Sequence, residues 1–259
     1  GEERAWYSYN YRSNGTTVKD TTVYTYEVTG IREEERMTES ATYDGTVLFA
    51  DINNPANAKL STTYYYLDAV GADQKIFKGD EIADYTHDHK TDRDSYYFYG
   101  DTAGSTGVRA SLADIDMQMT RSAISRSTAF DEGNLRSETF YNLSGTKGEE
   151  RAWYSYNYRS NGTTVKDTAI YTYEATGVRE EERMTESTTY KDVIAYDDIN
   201  SPTNTKLSTT HYYLDAAGAL QKIFKGDEIA DYTHDYKTNR DSYYFYGDTA
   251  GSDGVRASL

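Results

Sequence analysis

Of the side chains in this 259-residue sequence, His87, Asp88 and His89 are the best spaced to hold a metal ion. On a strand, alternate side chains share a face, so His87 and His89 would stand together as a zinc site requires. A second copy of the stretch, 147 residues on, reads His234-Asp235-Tyr236 and has lost one imidazole. A metal role common to both copies therefore cannot use the pair, and a solvated turn or strand surface is the expectation. Asp80, Glu81, Asp84, Asp88, Asp92 and Asp94 form an acidic run that recurs with Asn239 in place of Asp92. Clustered carboxylates suit calcium, the one cofactor the sequence brings to mind. The spacing fits neither an EF-hand nor a glycine-rich nonapeptide, so a solvated charged face is expected and no metal ligand is assigned.

Three Asn-x-Ser/Thr sequons begin at Asn14, Asn142 and Asn161. Two of them are Asn-Gly pairs, and turn chemistry explains those without sugar. The sequence shows no nucleophile elbow, phosphate loop or His-Glu-x-x-His. No catalytic or cofactor-binding residue is expected, and the chain reads as a non-enzyme. Arg32-Glu33-Glu34-Glu35-Arg36 reads as a strand after Gly30, with Arg32, Glu34 and Arg36 on one face to pair with neighbours and discourage edge aggregation.

The elements that must carry these residues follow from a repeat. Gly1 to Asn10 returns unchanged as Gly148 to Asn157, and the offset of 147 holds to Leu112 and Leu259 without a gap. About four in five aligned positions are identical. The expected organisation is one complete unit over residues 1–147 and a second, incomplete copy over 148–259. Such self-similarity signals an array. The opening Gly1-Glu2-Glu3-Arg4, without an initiator Met, suggests a window from a longer series of copies.

Leu, Ile, Val and Phe number 38 of 259, a fraction that with a net charge of −16 borders on disorder. Against this stand 28 Tyr and only 2 Pro. Tyrosine buries a large ring, keeps a hydroxyl for a partner, and favours strands. An aromatic core is expected. Alternation in Tyr7-x-Tyr9-x-Tyr11 and Tyr24-x-Tyr26 puts rings on one strand face. Asn14-Gly15 gives a two-residue hairpin turn, and strands of roughly 5–7 residues should run between such turns. Asp51-Ile52-Asn53-Asn54-Pro55-Ala56-Asn57 reads as a loop, and Ile115-Asp116-Met117-Gln118-Met119 as a further strand. The fold class expected is all-β: tandem antiparallel β-hairpins forming an elongated solenoid or spiral ribbon.

A shorter cadence recurs within each unit: aromatic, acidic or amide residue, then glycine and often a charge. It appears in Tyr24-Thr25-Tyr26-Glu27-Val28-Thr29-Gly30-Ile31-Arg32, Tyr66-Leu67-Asp68-Ala69-Val70-Gly71 and Tyr99-Gly100-Asp101-Thr102-Ala103-Gly104. Phe130-Asp131-Glu132-Gly133-Asn134-Leu135-Arg136, Tyr141-Asn142-Leu143-Ser144-Gly145 and Tyr43-Asp44-Gly45 follow it too. It resembles the tyrosine-aspartate (YD) repeats of the bacterial Rhs group and the animal teneurins. The resemblance implies a long ribbon of antiparallel hairpins, as in hollow shells, adhesive surface proteins and wall-associated proteins.

A strongly acidic chain repels nucleic acid and anionic membrane surfaces. No apolar run is long enough to span a bilayer as a helix. The absence of Cys excludes disulfides and thiolate sites. The expected function is a structural repeat protein forming an extracellular or cell-surface filament or stalk, microbial in origin. An Rhs-type β-shell enclosing a toxin and a glycan-binding adhesin are the alternatives. The expected partners are neighbouring repeats of the same chain, other copies of itself, and glycans.

Overall fold

A computed structural model describes residues 4–12, 15–31, 34–67, 76–127, 129–143, 146–176, 182–214, 228–246 and 254–256. The first copy contributes β1 (Tyr7–Tyr11), β2 (Val18–Tyr26), β3 (Met37–Asp44), β4 (Lys59–Tyr66) and β5 (Ile82–Asp88). It continues with β6 (Arg93–Gly100), β7 (Val108–Arg109), β8 (Gln118–Ser125) and β9 (Leu135–Asn142). The second copy gives β10 (Arg151–Tyr158), β11 (Val165–Tyr173), β12 (Met184–Lys191) and β13 (Lys206–Tyr213). It ends with β14 (Ile229–Asp235), β15 (Arg240–Tyr243), β16 (Phe245–Tyr246) and β17 (Val255–Arg256). The described residues hold no α-helix.

The chain forms one long antiparallel sheet that does not close into a barrel. Its path runs β1-β2-β3-β4-β5-β6-β8-β9-β10-β11-β12-β13-β14-β15, with β7 beside β6 and a small β16–β17 pair apart. Each strand pairs antiparallel with its neighbours on that path, and only β7 interrupts the succession, between β6 and β8. The fourteen strands, at about 4.8 Å each, stretch roughly 60 Å along the ribbon.

The join between the copies is a ladder like any other. Tyr154, Ser155, Tyr156 and Asn157 of β10 face Phe140, Thr139, Glu138 and Ser137 of β9. Phe140 and Tyr154 stack with centroids 4.8 Å apart and planes 14° apart, a cross-strand pair worth roughly 0.2–1 kcal/mol. Above this ladder, the Leu135 N–H donates to the Gly162 carbonyl at 2.9 Å. A Cβ on Gly162 would lie 2.5 Å from Asn134 Cα, whereas the corresponding Gly15 has open space around it. The same glycine is a turn residue in one copy and a close-packing residue in the other.

One face of the ribbon is covered by its own loops. Residues 45–58 fold over the sheet and bring buried Val47 against Ala41, Tyr43 and Val23. Ile194 and Ile199 do the same against Phe140, Tyr154 and Tyr190. The expected aromatic core is therefore half of the answer: strands supply rings and loops supply the aliphatic residues that cap them. Residues 44–50 and 191–197 share little sequence, yet both loops hold the same course because their anchors are unchanged. Buried Thr21 donates to the Gly45 carbonyl and accepts from the Val47 N–H, as Thr168 does with Asp192 and Ile194. Asn57 and Asn204 each donate to two carbonyls of their loop.

The loop entrance needs a left-handed residue. Gly45 supplies it at φ 65°, and Asp192 adopts φ 62° in its place. A side chain in that region is strained by about 1–2 kcal/mol, part of which a glycine returns as unfolded-state entropy. The ion pairs of Asp192 with Arg159 and Lys191 are exposed and long, at 3.7 and 3.9 Å, so they offset little. Asp192→Gly is expected to raise stability by about 0.5–1 kcal/mol, read as a higher midpoint in urea unfolding. A lower midpoint would contradict the strain.

Several local expectations are corrected. The main-path strands are mostly 7–9 residues rather than 5–7. Asn161-Gly162 is not a two-residue hairpin loop. It lies in a six-residue connection, residues 159–164, where Gly162 N–H donates to the Arg159 carbonyl and Asn161 Oδ1 accepts from Thr163 and Thr164 N–H. Ile115-Asp116-Met117 is a turn, and β8 starts at Gln118. Glu34 to Arg36 are loop rather than strand, since β3 starts at Met37. There Arg36 clamps Glu27 at 2.7 Å and Arg4 pairs with Glu35, so both cations close the loop instead of lining a strand. Asn14, Arg32, Glu33, Asp68 to Gly71, Ser144 and Gly145 lie outside the described residues.

Candidate functional site

The face of the ribbon opposite those loops carries a row of hydroxyls. Alternation that sends Val23 to the loop-covered side sends Tyr24 to the other. There Tyr24 meets Ser8 at 3.0 Å, Tyr65 meets Ser40 at 3.3 Å, and Tyr97 donates to Thr86 at 2.8 Å. The pattern continues with Ser122–Tyr141 at 3.1 Å, Ser155–Tyr171 at 2.9 Å, Ser187–Tyr212 at 3.4 Å and Thr233–Tyr244 at 3.0 Å. The first six of these tyrosines stand on every second strand of the path, about 10 Å from the next, and Tyr244 directly follows β15. A second row links Thr63–Thr86, Thr139–Ser155 and Thr210–Thr233, each at 2.7 Å. The Thr139–Ser155 bond lies on the β9–β10 join, so the hydroxyl face crosses from one copy to the next without interruption. Burial pushes the Tyr65, Tyr141 and Tyr171 hydroxyls above the usual phenol range, so they stay neutral and hydrogen-bonding. Sequence reading saw the tyrosines. It missed that their hydroxyls pair with Ser and Thr on the next strand, because that register depends on where each bulge falls.

A cleft recurs with the repeat. Arg4, Trp6, Tyr26, Tyr43, Ile52 and Pro55 line one of about 360 Å³, and their counterparts from Arg151 to Pro202 line another of the same size. The end of the β1–β2 hairpin forms one wall and the covering loop the other. Trp6 is stacked on Phe49 at 6.0 Å, and Trp153 meets Tyr196 edge-on at 5.3 Å. Arg4 lies 4.7 Å above the Tyr26 ring and pairs with Glu35, so its charge is already neutralised.

The candidate metal residues are placed as follows. His87 and His89 do share a face, with ring centroids 4.6 Å apart. His87 Nδ1 lies 2.8 Å from Asp94, and His89 Nε2 lies 2.9 Å from Thr62 Oγ1. In the second copy Tyr236 takes the place of His89, keeps the edge-on contact with His234 at 4.7 Å, and reaches Thr209 at 3.3 Å. Position 89 is thus a ring that packs beside a histidine and bonds a buried threonine, which both residue types can do. Burial, then the neighbouring His87, lowers the His89 pKa and keeps it neutral.

The acidic run is dispersed among separate partners. Asp84 pairs with Arg109 at 2.5 Å, and Glu81 accepts from the Met37 and Gly79 N–H groups. Asp88 accepts from the Thr91 N–H at 2.7 Å, which lowers its pKa, and Asp94 holds His87. Asp92 is exposed at φ 53°, a turn position that Asn239 fills at φ 52°. Among the described residues no group of three or more His, Asp or Glu is arranged to hold a metal ion. The matching pairs Asp231–Arg256 and His234–Asp241 show that these contacts belong to the repeat.

The join itself holds buried charges. Arg121 on β8 reaches Glu138 on β9 at 3.0 Å and Glu132 at 2.7 Å, and lies 4.0 Å over the Phe98 ring. Tyr158 on β10 donates to the same Glu138. Arg126 caps the Tyr158 and Arg159 carbonyls at 3.1 and 3.2 Å. The chemistry of this arrangement is cohesive: it ties strands of both copies into one network. No protein-family model matches the chain, and no curated protein matches it.

Proposed function

We propose that this chain is a structural repeat protein, not an enzyme, whose tandem copies build a filament or stalk outside a microbial cell. The observation that carries the reading is the β9–β10 join, where one copy continues the sheet of the other in register and shares a buried ionic network. A linear array built that way gains stability from each neighbour interface. The net charge of −16 keeps such an array from associating side by side. The tyrosine-aspartate cadence points in the same direction through the surface roles of the proteins it resembles.

The test is to image chains of two, four and six copies of residues 1–147 by negative stain. Each copy places eight strands on the main path, so the particle should lengthen by about 40 Å per added copy at constant width. Particles that close into hollow capsules would favour the shell reading and overturn the filament. Compact particles that do not lengthen would overturn both.

A further inference from the structure

The two copies allow a comparison within one chain, and the covering loop shows where they agree. All six residues from Gly45 to Ala50 differ from their counterparts Asp192 to Asp197. Asn54, Ala56 and Ala58 are replaced as well, by Ser201, Thr203 and Thr205. Ile52, Asn53 and Pro55 return unchanged as Ile199, Asn200 and Pro202, and these are the loop residues that line the two clefts. Asp51 and Asn57 are also kept, and Asn57 has its anchoring bonds to the loop carbonyls. Burial accounts for Ile52. It does not account for Asn53, whose side-chain amide, like that of Asn200, is exposed and has no hydrogen-bond partner among the described residues. The sequence has two tryptophans and two prolines, and all four stand in these clefts: Trp6 with Pro55, and Trp153 with Pro202.

The opening belongs to the repeat. The second cleft lies inside the sheet, with β9 in place before β10 and Asn142 of β9 in its wall, and it keeps the volume of about 360 Å³ found in the first. Trp153 stays partly exposed there. Charge narrows the choice of ligand. Arg4 is paired with Glu35 and Arg151 with Glu182, and Glu39 adds a carboxylate to the wall of the first cleft. In a chain of net charge −16 such a site does not favour an anion. What it offers is an indole ring, a planar amide with free donors and acceptor, and tyrosine and threonine beside them. These groups suit a ligand that presents C–H faces and hydroxyls together. The volume is at the small end of ligand pockets, roughly 300–1,000 Å³, so it suits a short stretch of sugar rather than a folded partner. We propose that each copy carries a binding site for a neutral saccharide, formed by Trp6 and Asn53 in the first copy and by Trp153 and Asn200 in the second. A sugar ring lies against the indole, and the amide bonds its hydroxyls. The site does not depend on the array reading: a saccharide binds whether or not the copies join into a filament.

Because the chain has no other tryptophan, its intrinsic fluorescence reads the two clefts alone. The probes are cellohexaose, N-acetylchitohexaose, maltohexaose and mannohexaose. They are titrated into the full chain carrying Trp153→Phe, which leaves the first cleft reporting, and into the chain carrying Trp6→Phe, which leaves the second. One of these sugars should shift the emission saturably in both chains, with dissociation constants within about threefold of each other, since the linings match. Adding Asn53→Ala to the first chain should weaken binding about fivefold, the loss of one hydrogen bond. Asn54→Ala, one position on and outside the cleft lining, should leave the affinity unchanged. Both asparagines are exposed, and circular dichroism checks that each variant keeps its β signal. Added sodium chloride should not change the affinity, since no ion pair is made. The proposal would be overturned by the absence of a saturable shift with every probe, by unchanged binding in the Asn53→Ala chain, or by binding lost in salt. A polyproline peptide that shifts the emission where the sugars do not would also overturn it, and would mark a peptide groove instead.

Discussion

Replacing Arg121 by alanine is expected to lower the unfolding free energy by about 3–5 kcal/mol, the largest loss of any single substitution here. Arg121 is 2 % exposed and its partner Glu138 is 7 % exposed. The guanidinium bonds Glu138 and Glu132 and covers the Phe98 ring. Without it Glu138 stays buried with the Tyr158 hydroxyl as its remaining donor, and a buried carboxylate left without its cation is far more costly than the pair is worth. The removed side chain also exposes Phe98, so packing and charge losses add. The double variant Arg121→Met, Glu138→Leu should recover most of the loss, since an apolar pair of similar volume has no ion to desolvate. Urea unfolding reads both values. A loss under about 1 kcal/mol for Arg121→Ala would show that the network does not bind the join.

High pH should unfold the protein cooperatively. Burial raises the pKa of Tyr99 and Tyr154 well above the ordinary phenol value. Neighbouring tyrosines and carboxylates add to the rise, and Tyr99 also donates a hydrogen bond to the Ala83 carbonyl at 2.6 Å. The folded chain holds these protons where the unfolded chain releases them at about pH 10. Their stabilisation is therefore complete below pH 10 and is lost as pH climbs toward the folded value. Each such tyrosine removes about 1.4 kcal/mol per pH unit in that range, so these two alone remove about 3 kcal/mol per unit. A domain of ordinary stability would unfold by about pH 12. The expected result is that tyrosinate absorbance and loss of the β circular-dichroism signal appear in one transition. Smooth tyrosine titration from pH 10 with an unchanged β signal would contradict the burial of these hydroxyls.

Much of this architecture is legible in the residues. The Tyr7-x-Tyr9-x-Tyr11 alternation does place rings side by side, with centroids 5.1 and 6.5 Å apart. The offset of 147 predicts every strand of the second copy from β11 to β14, since both bounds recur. What was hidden depends on long-range packing. Ile52 sits in the segment that reads as a loop, and Val47, Ile194 and Ile199 carry no strand alternation; only the folding of these segments over the sheet makes them core. Arg121 looks like any charged residue in a polar stretch, and its burial follows from Glu138 arriving on the next strand. The Arg32 to Arg36 run misled for a related reason: charge alternation is compatible with a strand, but Glu27 and Arg4 across the hairpin offer Arg36 and Glu35 better partners. His87 and His89 share a face as the alternation predicts, but that they pack on each other, and that position 89 bonds a buried threonine, depends on the cross-strand register.

The continuity of the sheet through the join is tested most directly by native-state amide hydrogen exchange. The N–H groups laddered between β9 and β10 should exchange as slowly as those between β2 and β3, and should open together with them under mild denaturant. Fast exchange confined to β9 and β10, with separate protection on either side, would mean two independent bodies on a string and would contradict a single ribbon.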